Sequence, residues 1–276
     1  MNRLTLAKRS QILHLLVEGN SLRSASRLAD VSINTVYKLL VDAGEACAAY
    51  HDKHVRNVPS RRVQCDEIWS FVYAKAKNVR TAKRQDLAYG DAWTWVAIDA
   101  DSKLVLSYLV GARDAEYALA LMDDLRQRVT TRLQLTTDGH SPYLQAVEEA
   151  FGADIDYAML VKMYGTPPAE AEAARCYSPS DCIGTRKRKV AGNPDPKHVS
   201  TSYVERQNLT MRMTIRRFTR LTNAFSKKIE NHAHAVSLHY MYYNFVRIHK
   251  TLRVTPAMAC NITDHLWSID KIASLF

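Results

Sequence analysis

Between residues 63 and 163 the apolar pattern changes period in an order that few folds can accommodate. Residues 63–73, 93–98 and 103–110 read as strands, rich in Val, Ile, Trp and Tyr, with Asp99-Ala100-Asp101-Ser102 as the turn between the last two. Residues 114–128 then repeat Ala118, Leu121, Met122 and Leu125 at helical spacing. A short strand at 133–137 ends at Asp138-Gly139, a helix follows at 142–151, and a further strand at 155–163. Three antiparallel strands followed by βαβ units satisfy that order, which predicts a mixed sheet flanked by helices.

On either side the texture is helical. Residues 4–46 carry three short amphipathic stretches: Leu6, Ile12, Leu13, Leu15 and Leu16, then Ala25, Leu28 and Ala29, then Val36, Leu39 and Leu40. Gly19-Asn20 and Gly44 stop the first and third, and Ser21 and Ser32 are placed to cap the second and third. Two helices across a tight turn at Asp30-Val31-Ser32 predict a helix-turn-helix, its last helix entering a major groove with Ile33, Asn34, Thr35, Tyr37 and Lys38 outward. A plain three-helix bundle is the alternative. Residues 47–62 hold His51, Lys53, His54, Arg56, Arg61 and Arg62 without an apolar period and read as a basic linker. Residues 164–197 hold five of the eight prolines and the run Arg186-Lys187-Arg188-Lys189, the texture of a loop-rich insertion. Helical spacing returns over 200–220 and 226–248, and 256–276 reads as a C-terminal tail. The expected class is α/β: a helix-turn-helix domain at 1–46, the linker at 47–62, and a ribonuclease H-like mixed-sheet catalytic domain at 63–255.

The chain has 38 Lys+Arg against 28 Asp+Glu, a net charge of +10, and the excess is concentrated. Residues 181–228 hold 12 Lys/Arg and 3 Asp/Glu, whereas 99–156 hold 5 and 11. A clustered basic stretch is the footprint of a polyanion, most often nucleic acid; the plainer reading is a solvated face. No apolar run approaches the ~20 residues of a membrane span, and no secretory apolar core follows Met1-Asn2-Arg3. Five scattered cysteines without a CxxC pair argue against a disulfide framework or a zinc ribbon and fit a reducing cytoplasm.

Three acids stand out. Gln64-Cys65-Asp66-Glu67-Ile68-Trp69-Ser70-Phe71 sets two carboxylates in an apolar strand, and alternation allows only one of Asp66 and Glu67 to share a face with a site. A carboxylate on a buried strand is costly unless it binds metal or finds partners. Asp138 lies at the C-terminal end of its strand, where ligands gather in α/β sheets. Glu205 shares one face of a helix over 201–219 with Arg212 and Arg216, Asn208 at its edge, while Val204, Met211, Ile215 and Phe218 fall on another. Converging hard oxygen ligands suit Mg²⁺, with Mn²⁺ as a substitute, and two such ions ~3.5–4 Å apart clamp the oxygens of a phosphodiester displacement. Taken singly, each of 28 acids is more simply a solvated or salt-bridged group.

Cys65-Asp66-Glu67-Ile68-Trp69-Ser70-Phe71, Thr137-Asp138-Gly139 and Tyr203-Val204-Glu205-Arg206-Gln207-Asn208-Leu209-Thr210-Met211-Arg212 resemble motifs of the Asp-Asp-Glu transposases of the insertion-sequence-one family. Ser226-Lys227-Lys228, Tyr243-Asn244-Phe245-Val246-Arg247-Ile248-His249-Lys250-Thr251-Leu252 and Thr255-Pro256-Ala257 resemble that family's C-terminal part, so the likeness spans most of 63–260. The resemblance implies a ribonuclease H-like core, Mg²⁺, and DNA cleavage followed by strand transfer, with Asp66, Asp138 and Glu205 as catalytic metal ligands. It further implies double-stranded DNA as partner (element ends and target), a homo-oligomer of at least two copies on DNA, and a cytoplasmic, nucleoid-associated protein of a bacterial host. Family members often place a cysteine-rich zinc motif before the helix-turn-helix; residues 1–46 contain no cysteine.

Expected DNA contacts are Arg23, Asn34, Thr35 and Lys38 in the N-terminal helices, Arg186, Lys187, Arg188 and Lys189 in the insertion, and Arg206, Arg212 and Arg216 beside Glu205. His198 and Asn208 are the expected supporting groups. His232, His234, His239 and His249 lack i, i+4 metal spacing and read as core or helix surface. Two further readings use the same residues: a catalytically silent helix-turn-helix DNA-binding protein derived from a transposase, and a metal-dependent DNA nuclease without strand transfer.

Overall fold

The structure, a computed structural model, describes residues 4–82, 88–165, 182–219 and 222–276. Strands β1 (Arg62–Val72), β2 (Gly90–Asp99) and β3 (Val105–Gly111) form an antiparallel meander. Strand β4 (Leu133–Thr137) runs parallel to β1, and β5 (Ile155–Tyr164) parallel to β4. A sixth strand, β6 (Cys182–Ala191), pairs antiparallel with β5, so the sheet order is β3-β2-β1-β4-β5-β6. The first five strands have the order and directions of a ribonuclease H-like sheet.

Helices α4 (Ala115–Arg128) and α5 (Pro142–Phe151) make the two crossovers, and their apolar stripes pack with Val63 and Cys65 of β1. Helices α6 (Ser202–Thr214) and α7 (Ile229–Phe245) lie on the opposite face, where Val204, Met211, Val236 and Tyr240 meet Ile68. Alternation along β1 thus feeds two cores at once.

The N-terminal region is α1 (Leu6–Val17), α2 (Leu22–Leu28) and α3 (Ile33–His54), each capped by a hydroxyl: Thr5, Ser21 and Ser32. Helix α3 does not stop at Gly44. It continues through half of the segment expected to be a linker, because Val36, Leu40, Ala43, Cys47 and His51 keep one buried stripe going. Gly44 is needed for contact rather than termination: a Cβ there would sit 2.3 Å from His234 Cβ on α7. Gly44→Ala is therefore expected to lose about 1–3 kcal/mol by overpacking, outweighing the gain in helix propensity. Urea unfolding of the variant checks this, and unchanged stability would mean the two helices do not meet there.

Two other expectations are corrected. Residues 256–276 are no tail: α8 (Pro256–Ala259) and α9 (Ile269–Ala273) bring Ala257, Trp267, Ile272 and Ala273 into the core that holds α1 and α3. Of the expected insertion, 166–181 lie outside the described residues, and 182–191 are strand rather than loop. Arg186, Lys187, Arg188 and Lys189 pair with Val161, Leu160, Met159 and Ala158 while their side chains stay exposed. A charged edge strand lacks apolar alternation and resists further edge pairing, which is why its sequence resembles a loop.

Candidate active site

Strand β1 is paired with β4 only from Arg62 to Gln64, opposite Gln134 to Thr136. The two strands part just before the level at which Asp66 would face Asp138, leaving β1 hydrogen-bonded to β2 alone. Into that gap come Asp66, Glu67 and Asp138, which can each place one carboxylate oxygen within 4.8 Å of the other two. This corrects the inference from alternation. Glu67 does face α5, where its carboxylate accepts from Tyr143 Oη at 2.5 Å, but with β4 gone both faces of β1 open to the same gap.

Each acid is held differently. Asp66 Oδ2 accepts from Asn208 Nδ2 at 2.9 Å. Burial pushes its carboxyl up to about 7, and the charges of Glu67 and Asp138 add to the shift. The Glu67 side chain, 1% exposed, is ion-paired to Arg113 Nε at 3.0 Å. Burial raises its pKa and Asp138 adds to this, against the opposing pull of Tyr143 and Arg113. Asp138 Oδ1 accepts from the His140 backbone N–H at 2.9 Å, and its Oδ2 lies 3.6 Å from Arg113 Nη2. Arg113 stacks on Trp93, 4.7 Å from the ring centre, so one guanidinium bridges two of the acids from a fixed platform.

Glu205 stands in the first turn of α6, with Asn208 one turn on over Asp66. The helix start is tied to β1: Gln64 Oε1 accepts from the backbone N–H groups of Tyr203 at 2.8 Å and Val204 at 3.2 Å, satisfying donors a helix leaves free. Glu205 is near enough for its charge to contribute to the Asp66 shift, yet it lies outside the close cluster. Its carboxylate is ion-paired to Lys162 of β5 at 2.7 Å and accepts from the Thr201 hydroxyl. Burial disfavours the Lys162 charge, but Glu205 outweighs it and the ammonium titrates above the usual lysine range.

Four carboxylates thus face two cations, Arg113 and Lys162. The hard oxygen donors and the uncompensated negative charge fit a divalent cation such as Mg²⁺ or Mn²⁺. So does Asn208 Oδ1, a buried acceptor with no hydrogen-bond partner beside Asp66. Alternation allows only one of Asp66 and Glu67 and so misses that both enter the gap, and Gln64, Arg113, Tyr143 and Lys162 carry no local signal in the sequence.

Other expected site residues lie elsewhere. His198 is bound to Arg62 at 2.5 Å and faces Asp195 at 3.7 Å, and it is not among the clustered groups Asp66, Glu67 and Asp138. Helix α6 ends at Thr214, so Arg216 sits in the following 3-10 turn and does not share the helical face of Glu205; Arg206 is exposed and Arg212 half-buried on α6. Arg23, Asn34 and Lys38 are exposed and Thr35 is half-buried. His232 and His239 are buried in hydrogen bonds with Ser70, Ser226, Gln207 and Thr214, and burial lowers both to about 3.

No protein-family model and no curated protein matches the chain. Among solved structures it is similar to a chain of the piggyBac transposase synaptic complex with hairpin DNA, at 9% identity and TM-score 0.41 over 98% of this chain and 69% of that one. It is also similar to a chain of the simian T-cell lymphotropic virus intasome in complex with PP2A regulatory subunit B56 gamma, at 15% identity and TM-score 0.40 over 92% and 74%. A third likeness is to the Mos1 strand transfer complex, at 12% identity and TM-score 0.25 over 88% and 78%.

Proposed function

We propose that the chain is a DNA transposase of the Asp-Asp-Glu type, of the kind found in the insertion-sequence-one family. In this reading the N-terminal helix-turn-helix binds element ends, and Asp66, Asp138 and Glu205 carry Mg²⁺-dependent cleavage and strand transfer. The observation that carries it is the gathering of Asp66, Glu67 and Asp138 where β1 and β4 part, with Glu205 and Asn208 overlooking that gap from α6. A divalent cation bound there would polarise the phosphoryl group and lower the pKa of an attacking hydroxyl. The protein's own groups do the positioning. Asn208 orients Asp66, Arg113 and the His140 N–H orient Asp138, and Lys162 holds Glu205 at the rim. Arg186 to Lys189, exposed along the edge strand, offer positive charge to flanking or target DNA. Pairing two element ends requires at least two copies of the chain.

The test is a divalent-dependent reaction on DNA carrying the element ends beside an unrelated target. A joined product supports transposition; hydrolysis alone marks a nuclease; binding with neither marks a silent DNA-binding protein. Within the same reading, Asn34 stands exposed in the first turn of α3, where side chains reach base edges. Asn34→Ala is expected to lower discrimination between element ends and random DNA by about 1–3 kcal/mol. Equal loss on both DNAs would place Asn34 on the backbone, and no loss on either would refute this docking.

A further inference from the structure

Away from the acids, a cleft of about 920 Å³ separates the N-terminal helices from the segment that follows α6. Arg23 of α2, Arg216 and Arg217 from the turn after α6, and Lys227 before α7 line it, and among the described residues no Asp or Glu does. None of these four cations is ion-paired to a described carboxylate. Arg217 is the most enclosed. Burial lowers it to about 10, and its hydrogen bond to Ser226 Oγ at 2.9 Å uses one of five N–H donors. An enclosed guanidinium without a counter-charge is costly, and an arriving anion relieves that cost.

The remaining walls are mixed: Leu16, Leu22, Ile33 and Leu238 are apolar, and a polar set among them narrows the anion. Asn34 and Tyr37 of α3 line the same cleft, with Asn223 and Phe225 opposite. Amide and hydroxyl groups set among cations match a sugar-phosphate chain with bases beside it. The width is fixed by the fold, since Asn231 Nδ2 of α7 donates to Tyr37 Oη at 2.8 Å and Gly44 lets α3 and α7 touch. Helix α6 connects the two regions: Glu205 is in its first turn, and ten residues later Ile215 lines the cleft, about 15 Å away at ~1.5 Å per residue.

We propose that this cleft grips the phosphodiester backbone of the DNA that α3 faces, so that the N-terminal helices and the sheet domain hold one DNA segment jointly. The inference rests on the DNA reading above but needs no catalysis, so it is tested without divalent metal. Binding of a fluorescein-labelled random-sequence oligonucleotide, single-stranded and duplex, is titrated against salt for the full chain and for an Arg216→Gln, Lys227→Gln double variant. Both side chains are exposed, and circular dichroism checks that the variant is folded. Each lost phosphate contact removes about 0.9 from the slope of log affinity against log salt on duplex, or about 0.7 on single strand. The double variant is thus expected to lose about 1.8 or about 1.4. Lys53→Gln, exposed and outside the cleft, is expected to leave the slope as it was. An unchanged slope in the double variant, with DNA binding intact, overturns this inference and leaves the transposase reading standing. Failure of the wild type to bind either probe overturns both. Poly-glutamate competing as strongly as DNA at equal ionic strength marks the cleft as a site for acidic protein and overturns the DNA assignment.

Discussion

Alanine in place of Asp66 or Asp138 is expected, in the proposed transposase, to cut metal-dependent DNA cleavage at least about 1,000-fold, or about 4 kcal/mol of transition-state stabilisation. Metal-free DNA binding should survive. The two carboxylates meet in the gap between β1 and β4, whereas the exposed cations of the DNA-binding proposal lie along β6 and around the cleft below the N-terminal helices. Removing either acid takes one of the three clustered oxygen ligands out of the gap, so a divalent ion held by the remaining acids would no longer be placed against the phosphate. Glu205→Ala should fall in the same class, with a different signature. Its carboxylate starts from an ion pair with Lys162, so its loss also frees a lysine beside the site. Single-turnover cleavage on end-bearing DNA, run beside metal-free binding, separates chemistry from docking. Near-wild-type cleavage by either aspartate variant would remove that residue from the ligand set.

How much of this could be read in advance depends on how far each interaction reaches along the chain. Five strands and both crossovers follow from local period, because each buries at least one face and so must alternate or run apolar. Strand β6 is invisible to that argument, since its charged residues are solvated. Helix α3 outruns its apparent stop because a glycine that looks like a terminator serves as a contact with a residue 190 positions later. The site shows the same division. Asp66, Asp138 and Glu205 stand out by residue type and place, whereas the groups that hold them come from elsewhere. Arg113 reaches back 46 residues to Glu67, and Asn208 reaches 142 to Asp66. Glu67 is the instructive case: alternation assigns its face correctly, and the site includes it only because a neighbouring strand leaves.

In the absence of divalent metal, Asp66→Asn is expected to stabilise the fold by about 2–4 kcal/mol at pH 8, a large share of the ~5–15 kcal/mol that holds a typical domain together. The Asp66 carboxyl moves from its ordinary 3.8 to about 7 in the folded chain, through burial first and then the charges of Glu67 and Asp138. Between those two values the unfolded chain has released the proton and the folded chain keeps it. At this group the native state therefore binds more protons, and its contribution to stability falls as pH rises through that window, levelling off above about 7; the buried His232 and His239, lowered to about 3, act with the opposite sign. Below pH 3.8 the carboxyl is neutral in both states and imposes no cost. Glu67, also raised, adds to the slope with the same sign. Asparagine removes the Asp66 contribution while its carbonyl can still accept from Asn208, so the variant's advantage over the wild type, in which the histidine contributions cancel, should grow from pH 5 to pH 8. Added Mg²⁺ or Mn²⁺ should act the other way, stabilising the wild type in proportion to RT ln(1 + [M]/Kd) and narrowing the gap. Urea unfolding at pH 5 and pH 8, with EDTA and with metal, measures all four corners. If the variant's advantage over the wild type without metal were the same at both pH values, the crowding of charge between β1 and β4 would be weaker than its geometry requires. If metal stabilised the asparagine variant as much as the wild type, Asp66 would not be a ligand.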